Sequence, residues 1–374
     1  MTEWLAPDLI FDGDRLLPGM ALPLSRGLTG TPLPRAAAPA ARPVGGILSP
    51  GFVDLQVNGG GGVLLNQTPT PDGMAAIAAA HRALGTAAIL PTLITDAPEV
   101  LARAAAAAIA ARDRPGIAGL HIEGPHIAPA RRGTHDARFI RPLDSATIET
   151  VRALRAAGVR VMITLAPEAC APGQIALLAA TGAIVSIGHS DATAPAVRAA
   201  IAEGAACFTH LFNAMSPLLH RAPGVVGAAL NSHLPAGIIC DGIHVADELV
   251  GLAIRARPEP DLMFLVSDAM PTVGGPDRFR LYDMDIFLCH GRLVNTEGSL
   301  AGAHVTMAES VARLVAVVGL PVETALRMAV TVPARVIGAP VLARIADRPL
   351  DEIVVLDPAA RFTGRLADLA EAAA

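Results

Sequence analysis

Residues 183–210 read AIVSIGHSDATAPAVRAAIAEGAACFTH. Two apolar runs in this stretch, Ala183–His189 and Ala205–His210, each stop on a histidine. Between them Ala194–Ala202 has helical length and apolar spacing, with Pro195 in its first turn. Strand, helix, strand in that order implies parallel pairing, and parallel strands bring both histidines to one edge of the sheet. The same alternation continues in both directions. Further runs at Gly51–Asn58, Ala87–Thr95, Ile117–Glu123, Arg160–Glu168, Ala236–Asp241 and Leu262–Asp268 also end on polar tips. Helical stretches at Asp72–Leu84, Pro98–Ala111, Asp144–Ala157, Pro172–Ala180 and Asp247–Arg257 separate most of them. Eight such units fit an α/β fold closed as a (β/α)₈ TIM barrel, whose C-terminal strand ends surround one mouth.

The flanks read differently. Leu9–Phe11 and Leu16–Leu17 bracket the turn Asp12-Gly13-Asp14 and suggest a hairpin, while Ala36–Val44 is low-complexity and reads as loop or extended chain. Ile353–Leu356 is a β-favouring run near the other end. These segments suggest a small accessory β domain drawn from both ends, residues 1–47 with 340–374, around a barrel of residues 48–339. The N-terminal strand pattern is faint, the approach to Ile353 lacks glycine, and little chain follows Leu356. After the eighth run, Ser299–Thr306 is rich in small residues, and helices are expected at Met307–Val318 and Val322–Val330.

Composition narrows the classes. With 52% hydrophobic residues, 35 Gly and 31 Pro, the chain can bury a large core joined by tight turns. The net charge of −5, with no basic patch interleaved with aromatics, gives nucleic-acid binding no support. The uncharged stretch Ala169–Ser190 contains Pro172, Gly173, Gly182 and Gly188 and divides into helix, turn and strand, so no membrane span is expected. No signal segment is visible among the acidic residues at the start, and the four cysteines show no paired spacing. Free thiols in a reducing cytoplasm are the expectation. The chain has no lysine, which excludes Schiff-base catalysis, a P-loop lysine and a carbamylated-lysine metal bridge.

The polar tips carry the chemistry. Glu123 ends its strand just before Gly124-Pro125. An isolated glutamate there would more often pair with an arginine, and a lone histidine in an apolar run is more often a core residue. Glu123 from strand three together with His189 and His210 from strands five and six reverses both expectations. One carboxylate and two imidazoles with open positions describe a catalytic divalent-metal site, with Zn²⁺ the default and Fe²⁺, Mn²⁺ or Co²⁺ able to substitute. Asp268, at the tip of strand eight, is placed to act as general base and then as acid. Asp241 and His244 follow strand seven, where they can meet a polar substrate; Asp241 can equally be a turn residue. Hydrolases with this barrel often carry His-x-His on strand one, helping to hold a second metal. Here Gln56 and Asn58 stand in those places. Neutral amides are poor ligands, so one metal per subunit is expected, with the two amides bonding water in a vacated second site.

The motifs His121-Ile-Glu-Gly-Pro, Gly133-Thr134-His135, Gly188-His189-Ser190, Thr209-His-Leu-Phe-Asn-Ala-Met, Asp241-Gly-Ile-His244 and Leu265-Val-Ser-Asp-Ala269 occur in one order and spacing. Across roughly residues 48–357 the chain resembles the N-acetylglucosamine-6-phosphate deacetylases of the amidohydrolase superfamily, in their single-metal branch. The resemblance implies a metallo-dependent hydrolase barrel with ligands Glu123, His189 and His210, and Asp268 as catalytic acid/base. It makes His135 the residue that polarises the acetamide carbonyl. Thr134, His135, Asn213, Ala214, Arg221, the loop Asp241, Gly242, Ile243, His244 and the segment Leu300, Ala301, Gly302 would bind the sugar phosphate. Arg221, by itself an ordinary surface arginine, can in this family come from a neighbouring subunit, which implies a homodimer. Hydrolysis of the acetamide of N-acetylglucosamine 6-phosphate is the implied reaction. N-Acetylgalactosamine 6-phosphate, or another N-acyl amine or cyclic amide, remains the alternative. A non-catalytic sugar-phosphate binder would have lost part of the set Glu123, His189, His210 and Asp268, and all four are present. His126 is left without a role beyond a polar contact.

Overall fold

In a computed structural model, which describes residues 2–295 and 300–371, the eight apolar runs form eight parallel strands. They are Phe52–Val57, Thr86–Ile94, Leu120–Glu123, Val161–Leu165, Ile184–Ile187, Cys207–Phe208, Ala236–Ile238 and Met263–Leu265. Neighbours in sequence are neighbours in the sheet throughout. The first two strands are buried along their whole length, as strands covered on both faces must be. Closure between first and last comes from Asp268 N donating to Gln56 O at 3.0 Å and Asn58 N to Ala269 O at 2.9 Å. The helices start where side chains satisfy their first free N–H groups. Thr70, Asp144, Thr193 and Thr306 each accept from the residue three further on. Helices Pro71–Ala83, Pro98–Ala111, Ser145–Ala156, Gln174–Ala180, Ala194–Ala202 and Asp247–Arg255 lie within about two residues of the sequence expectation.

Seven of the eight strands are shorter than their apolar runs. The backbone leaves the sheet before the polar tip, and His189, His210 and Asp268 adopt left-handed φ of 48°, 23° and 51°. Arg160–Glu168 likewise breaks, with Pro167–Ala169 forming a single 3₁₀ turn. At the far end Met307–Ala316 is followed by Val322–Leu326, which passes through a π turn at Arg327–Thr331 into Val332–Val336. The turn falls just before Pro333, which has no N–H to donate.

A short helix and an antiparallel sheet near the mouth are among the elements the sequence did not announce. Gly224–Leu230 is a short, fully buried helix. Strands Arg278–Leu281, Met284–Cys289, Arg292–Val294 and Leu300–Ala303 form an antiparallel sheet after the eighth barrel strand. It packs Leu281, Ile286, Leu293 and Ala301 against Leu64, Ile94 and Met270 at the barrel rim. Ser299, the start of the expected Ser299–Thr306 segment, lies outside the described residues.

Both ends of the chain share one eight-stranded sheet. Its main path runs Phe362–Arg365, Ile353–Leu356, Arg42–Pro50, Glu3–Phe11, Met20–Ser25, Leu28–Thr29. The hairpin at Asp12-Gly13-Asp14 forms, pairing Leu9 with Pro18. Pro7, Pro23, Pro43 and Pro50 all sit inside strands, and the ladder slips at Pro7/Leu9. Proline inside a run argues against a strand, which is why the pattern looked faint. Ala36–Val44, expected as loop or extended chain, is both: it begins in a 3₁₀ turn at Arg35–Ala37 and ends in the start of strand Arg42–Pro50. Among the described residues no helix is long and apolar enough to cross a membrane.

Candidate active site

Glu123 closes the third barrel strand, while His189 and His210 stand just beyond the fifth and sixth. All three are buried. Glu123 Oε1 lies 3.2 Å from His189 Nε2 and 3.0 Å from His210 Nε2, and the two nitrogens are 3.0 Å apart. Three lone-pair atoms that close repel one another unless a proton or a cation sits among them. Among the described residues this is the one group of three or more His, Cys, Asp or Glu whose ligand atoms could hold a metal ion. Its surroundings suit that use. His189 Nδ1 donates to the Arg131 carbonyl at 2.8 Å, which orients the ring so that Nε2 faces the cluster. His210 Nδ1 is buried without a partner among the described residues. Burial by itself would push the Glu123 carboxyl up, but hydrogen bonds from His189 and His210 hold it well below the usual range. His210 is correspondingly raised, its burial outweighed by Glu123.

Asp268 faces the same space. Burial pushes its carboxyl up to about 6, and the negative charge of Glu123 adds to the effect. Gln56 Nε2 donates to Glu123 Oε1 at 2.9 Å and to Asp268 Oδ1 at 3.1 Å. Asn58 Nδ2 donates to Asp268 Oδ1 at 2.7 Å. The two amides therefore clasp the carboxylates directly, where the sequence suggested water partners. An amide can do this because it donates; an imidazole bound to a second metal could not. Asn58 Oδ1 is buried with no partner among the described residues. Behind them Asp54 accepts from Gln56 N and from Ser267 N, both at 3.2 Å, and burial raises it to about 7.

His135 lies on the loop after the third strand, its ring 4.3 Å from that of His189. Burial, then the His189 charge, lowers its pKa well below the ordinary value, so the imidazole is neutral. Thr95 Oγ1 is 2.7 Å from its Nδ1. A cavity of about 180 Å³ is lined by Asn58, Glu123, His135, His189, His210 and Asp268. Thr134, Asn213, Ala214, His244, Leu300 and Gly302 complete its wall together with Ile94, Gly133 and Met270.

The remaining expected residues stand outside that lining. Asp241 backs His244, bonding its Nδ1 at 2.6 Å and accepting from its backbone at 2.9 Å. Of the two readings left open, these bonds are those of a turn residue, and the residue it aims, His244, is the one that lines the cavity. Gly242 packs its backbone against Arg313, where an added Cβ would lie 2.3 Å from the guanidinium carbon. Ile243 is half-buried, and Ala301 lies in the core of the antiparallel sheet. Arg221 is exposed and borders a separate surface cleft with Asp191, Arg198 and Leu219.

His126 is structural: its ring bonds the Arg141 and Pro142 carbonyls and Thr147 Oγ1, pinning the base of the loop that carries His135. His121 bridges Leu55 O and Thr164 Oγ1 inside the barrel. The sequence reading gave no role to Thr95, Ile94, Met270 or the Arg131 carbonyl. Thr95 was within reach, since it ends the second apolar run. The others point through backbone or apolar surface and leave no polar signal.

This fold and site define a hydrolase of the metallo-dependent (β/α)₈-barrel class. Residues 47–364 match the amidohydrolase family, and the chain belongs to it. It is 43% identical to an N-acetylgalactosamine-6-phosphate deacetylase of Shewanella sp., over 86% of this chain and 82% of that protein. To an N-acetylglucosamine-6-phosphate deacetylase of Haemophilus influenzae it is 34% identical, over 79% and 78%. The crystal structure of N-acetylglucosamine-6-phosphate deacetylase from Pasteurella multocida superposes with a TM-score of 0.90 at 31% identity, covering 98% of each chain.

Proposed function

We propose that the protein hydrolyses the acetamide of N-acetyl-D-glucosamine 6-phosphate, giving D-glucosamine 6-phosphate and acetate. The observation that carries this reading is the convergence of Glu123, His189, His210, Asp268 and His135 on one cavity. Glu123, His189 and His210 would hold one divalent ion, Zn²⁺ by preference for one carboxylate and two imidazoles, with Fe²⁺, Mn²⁺ or Co²⁺ as substitutes. When bound, such an ion acidifies water, lowering its pKa from about 15.7 towards 7. Asp268, ionised and held by Gln56 and Asn58, takes a proton from the attacking water as the new C–O bond forms. His135 donates a hydrogen bond to the acetamide oxygen, where negative charge builds up. Asp268 then passes its proton to the nitrogen as the C–N bond breaks, releasing acetate and the amine.

Thr134, Asn213, Ala214, His244 and the Leu300–Gly302 segment, with the turn Asp241–Ile243 behind His244, would orient the sugar phosphate. Arg221 offers a two-pronged charged partner for the phosphate. Because it stands outside the lining of its own cavity, we assign it to the cavity of a second subunit in a homodimer. The free cysteines, two of them buried, suit a reducing cytoplasm. The 43% identity to an N-acetylgalactosamine-6-phosphate deacetylase favours that epimer as the second reading. Acetate release from the two phosphosugars and from unphosphorylated N-acetylglucosamine tests the proposal. The expected order of kcat/KM places the glucosamine phosphate first and the free sugar last by at least about 100-fold, the scale of a lost charged phosphate contact. A tenfold preference for the galactosamine phosphate would transfer the assignment to the epimer, and no acetate from either would refute both readings.

A further inference from the structure

Thr95 directly follows Ile94, the last residue of the second barrel strand, and is buried. Among the described residues its hydroxyl has one partner, His135 Nδ1 at 2.7 Å. A buried hydroxyl hydrogen must find an acceptor, and this ring nitrogen is the acceptor within reach. If the proton sat on Nδ1 instead, the hydroxyl hydrogen would be buried and unpaired, at a cost of about 1–3 kcal/mol. The bond therefore runs from Thr95 O–H to Nδ1, and the ring proton is on Nε2. That nitrogen has no partner among the described residues and belongs to a ring that lines the cavity.

The surroundings leave Thr95 little freedom. Its carbonyl accepts from the Tyr282 hydroxyl at 2.6 Å, which ties the strand end to the antiparallel sheet above. A Cβ on Gly124 would lie 2.3 Å from Thr95 Oγ1, so glycine at that position leaves the room the hydroxyl occupies. Across the ring, the His135 backbone is fixed by its N–H bond to Arg132 O at 3.0 Å and by Arg132 Nη1 donating to His135 O at 3.1 Å.

We infer that Thr95 is a positioning residue that locks His135 in the Nε2–H tautomer, the form able to donate to the substrate carbonyl. The inference rests on the proposed deacetylase reading for its catalytic meaning, while the tautomer itself can be measured without substrate. The experiment pairs ¹⁵N-histidine spectra of the zinc-loaded protein with steady-state kinetics of Thr95→Val and Thr95→Ser. Valine keeps the shape and removes the donor; serine keeps the donor. In the wild type, His135 is expected to show an unprotonated Nδ1 and a protonated Nε2. Thr95→Val is expected to mix the tautomers and lower kcat about 10–100-fold with KM within about threefold, and Thr95→Ser to restore most of the rate. A wild-type ring protonated at Nδ1, or a Thr95→Val variant with kcat within twofold of wild type, would overturn the inference. A wild type with the expected spectrum that releases no acetate would refute the proposed function and leave the tautomer assignment standing.

Discussion

Three residues at the mouth, His189, His210 and Asp268, hold left-handed backbone that only glycine adopts freely. Each costs on the order of 1–3 kcal/mol, and such strain persists where the surrounding structure dictates a side-chain position. These residues were legible because each is a polar group closing an apolar run. Thr95 closes such a run too, but a hydroxyl at a strand end is ordinary, and only its distance to His135 distinguishes it. Removing a ligand tests the cluster: Glu123→Ala is expected to drop bound metal from about one ion per chain to near none, read by elemental analysis of the purified protein. Retention of a full equivalent would count against the ligand set. Asp268 must be ionised to take a proton, so kcat/KM should fall as pH drops through its pKa. Burial and Glu123 raise that pKa to about 6, and a bound dication pulls it back down. The expected acid limb therefore lies at or below about pH 6, and a rate unchanged down to pH 4 would contradict the role.

At the scale of elements, the barrel was legible because strand runs and helical stretches alternate with capping residues between them. Strand length was not. The sixth run, Ala205–His210, yields only Cys207–Phe208 as strand, because pairing ends where the backbone turns its tips into the mouth. The antiparallel sheet after strand eight escaped notice for a different reason. Its strands are short, and its first turn, Tyr282-Asp283, lacks the Asn-Gly signature of tight hairpins. Tyr282 reaches from that turn to the Thr95 carbonyl, so its hydroxyl adds a hydrogen bond to the apolar packing and the Ala303 backbone bonds that hold the sheet on the rim. Tyr282→Phe is expected to cost about 1 kcal/mol in stability and to raise KM several-fold, with kcat less affected. Thermal unfolding and steady-state kinetics together check this; unchanged values of both would show that this hydrogen bond is idle.

Across the whole molecule, the two chain ends meet in one sheet, so Ile353–Leu356 pairs with Arg42–Pro50 beside the first barrel strand. This is the accessory β unit expected from the two ends, and the prolines within Glu3–Phe11, Met20–Ser25 and Arg42–Pro50 are why its N-terminal half was faint in the sequence. The placement of Arg221 in trans is tested by mixing Asp268→Asn chains with Arg221→Ala chains. If the arginine serves the neighbouring site, each mixed dimer regains one intact site. If it serves its own, mixing restores nothing. The central claim, that Asp268 moves the proton at a metal site built by Glu123, His189 and His210, meets its most direct test in a single comparison. Acetate release from N-acetylglucosamine 6-phosphate would be measured for wild type and Asp268→Asn at equal metal content. The account predicts wild-type turnover and a loss of about 10²–10⁴-fold in the variant, the scale of a removed acid–base group. Near-normal turnover by metal-loaded Asp268→Asn would contradict it.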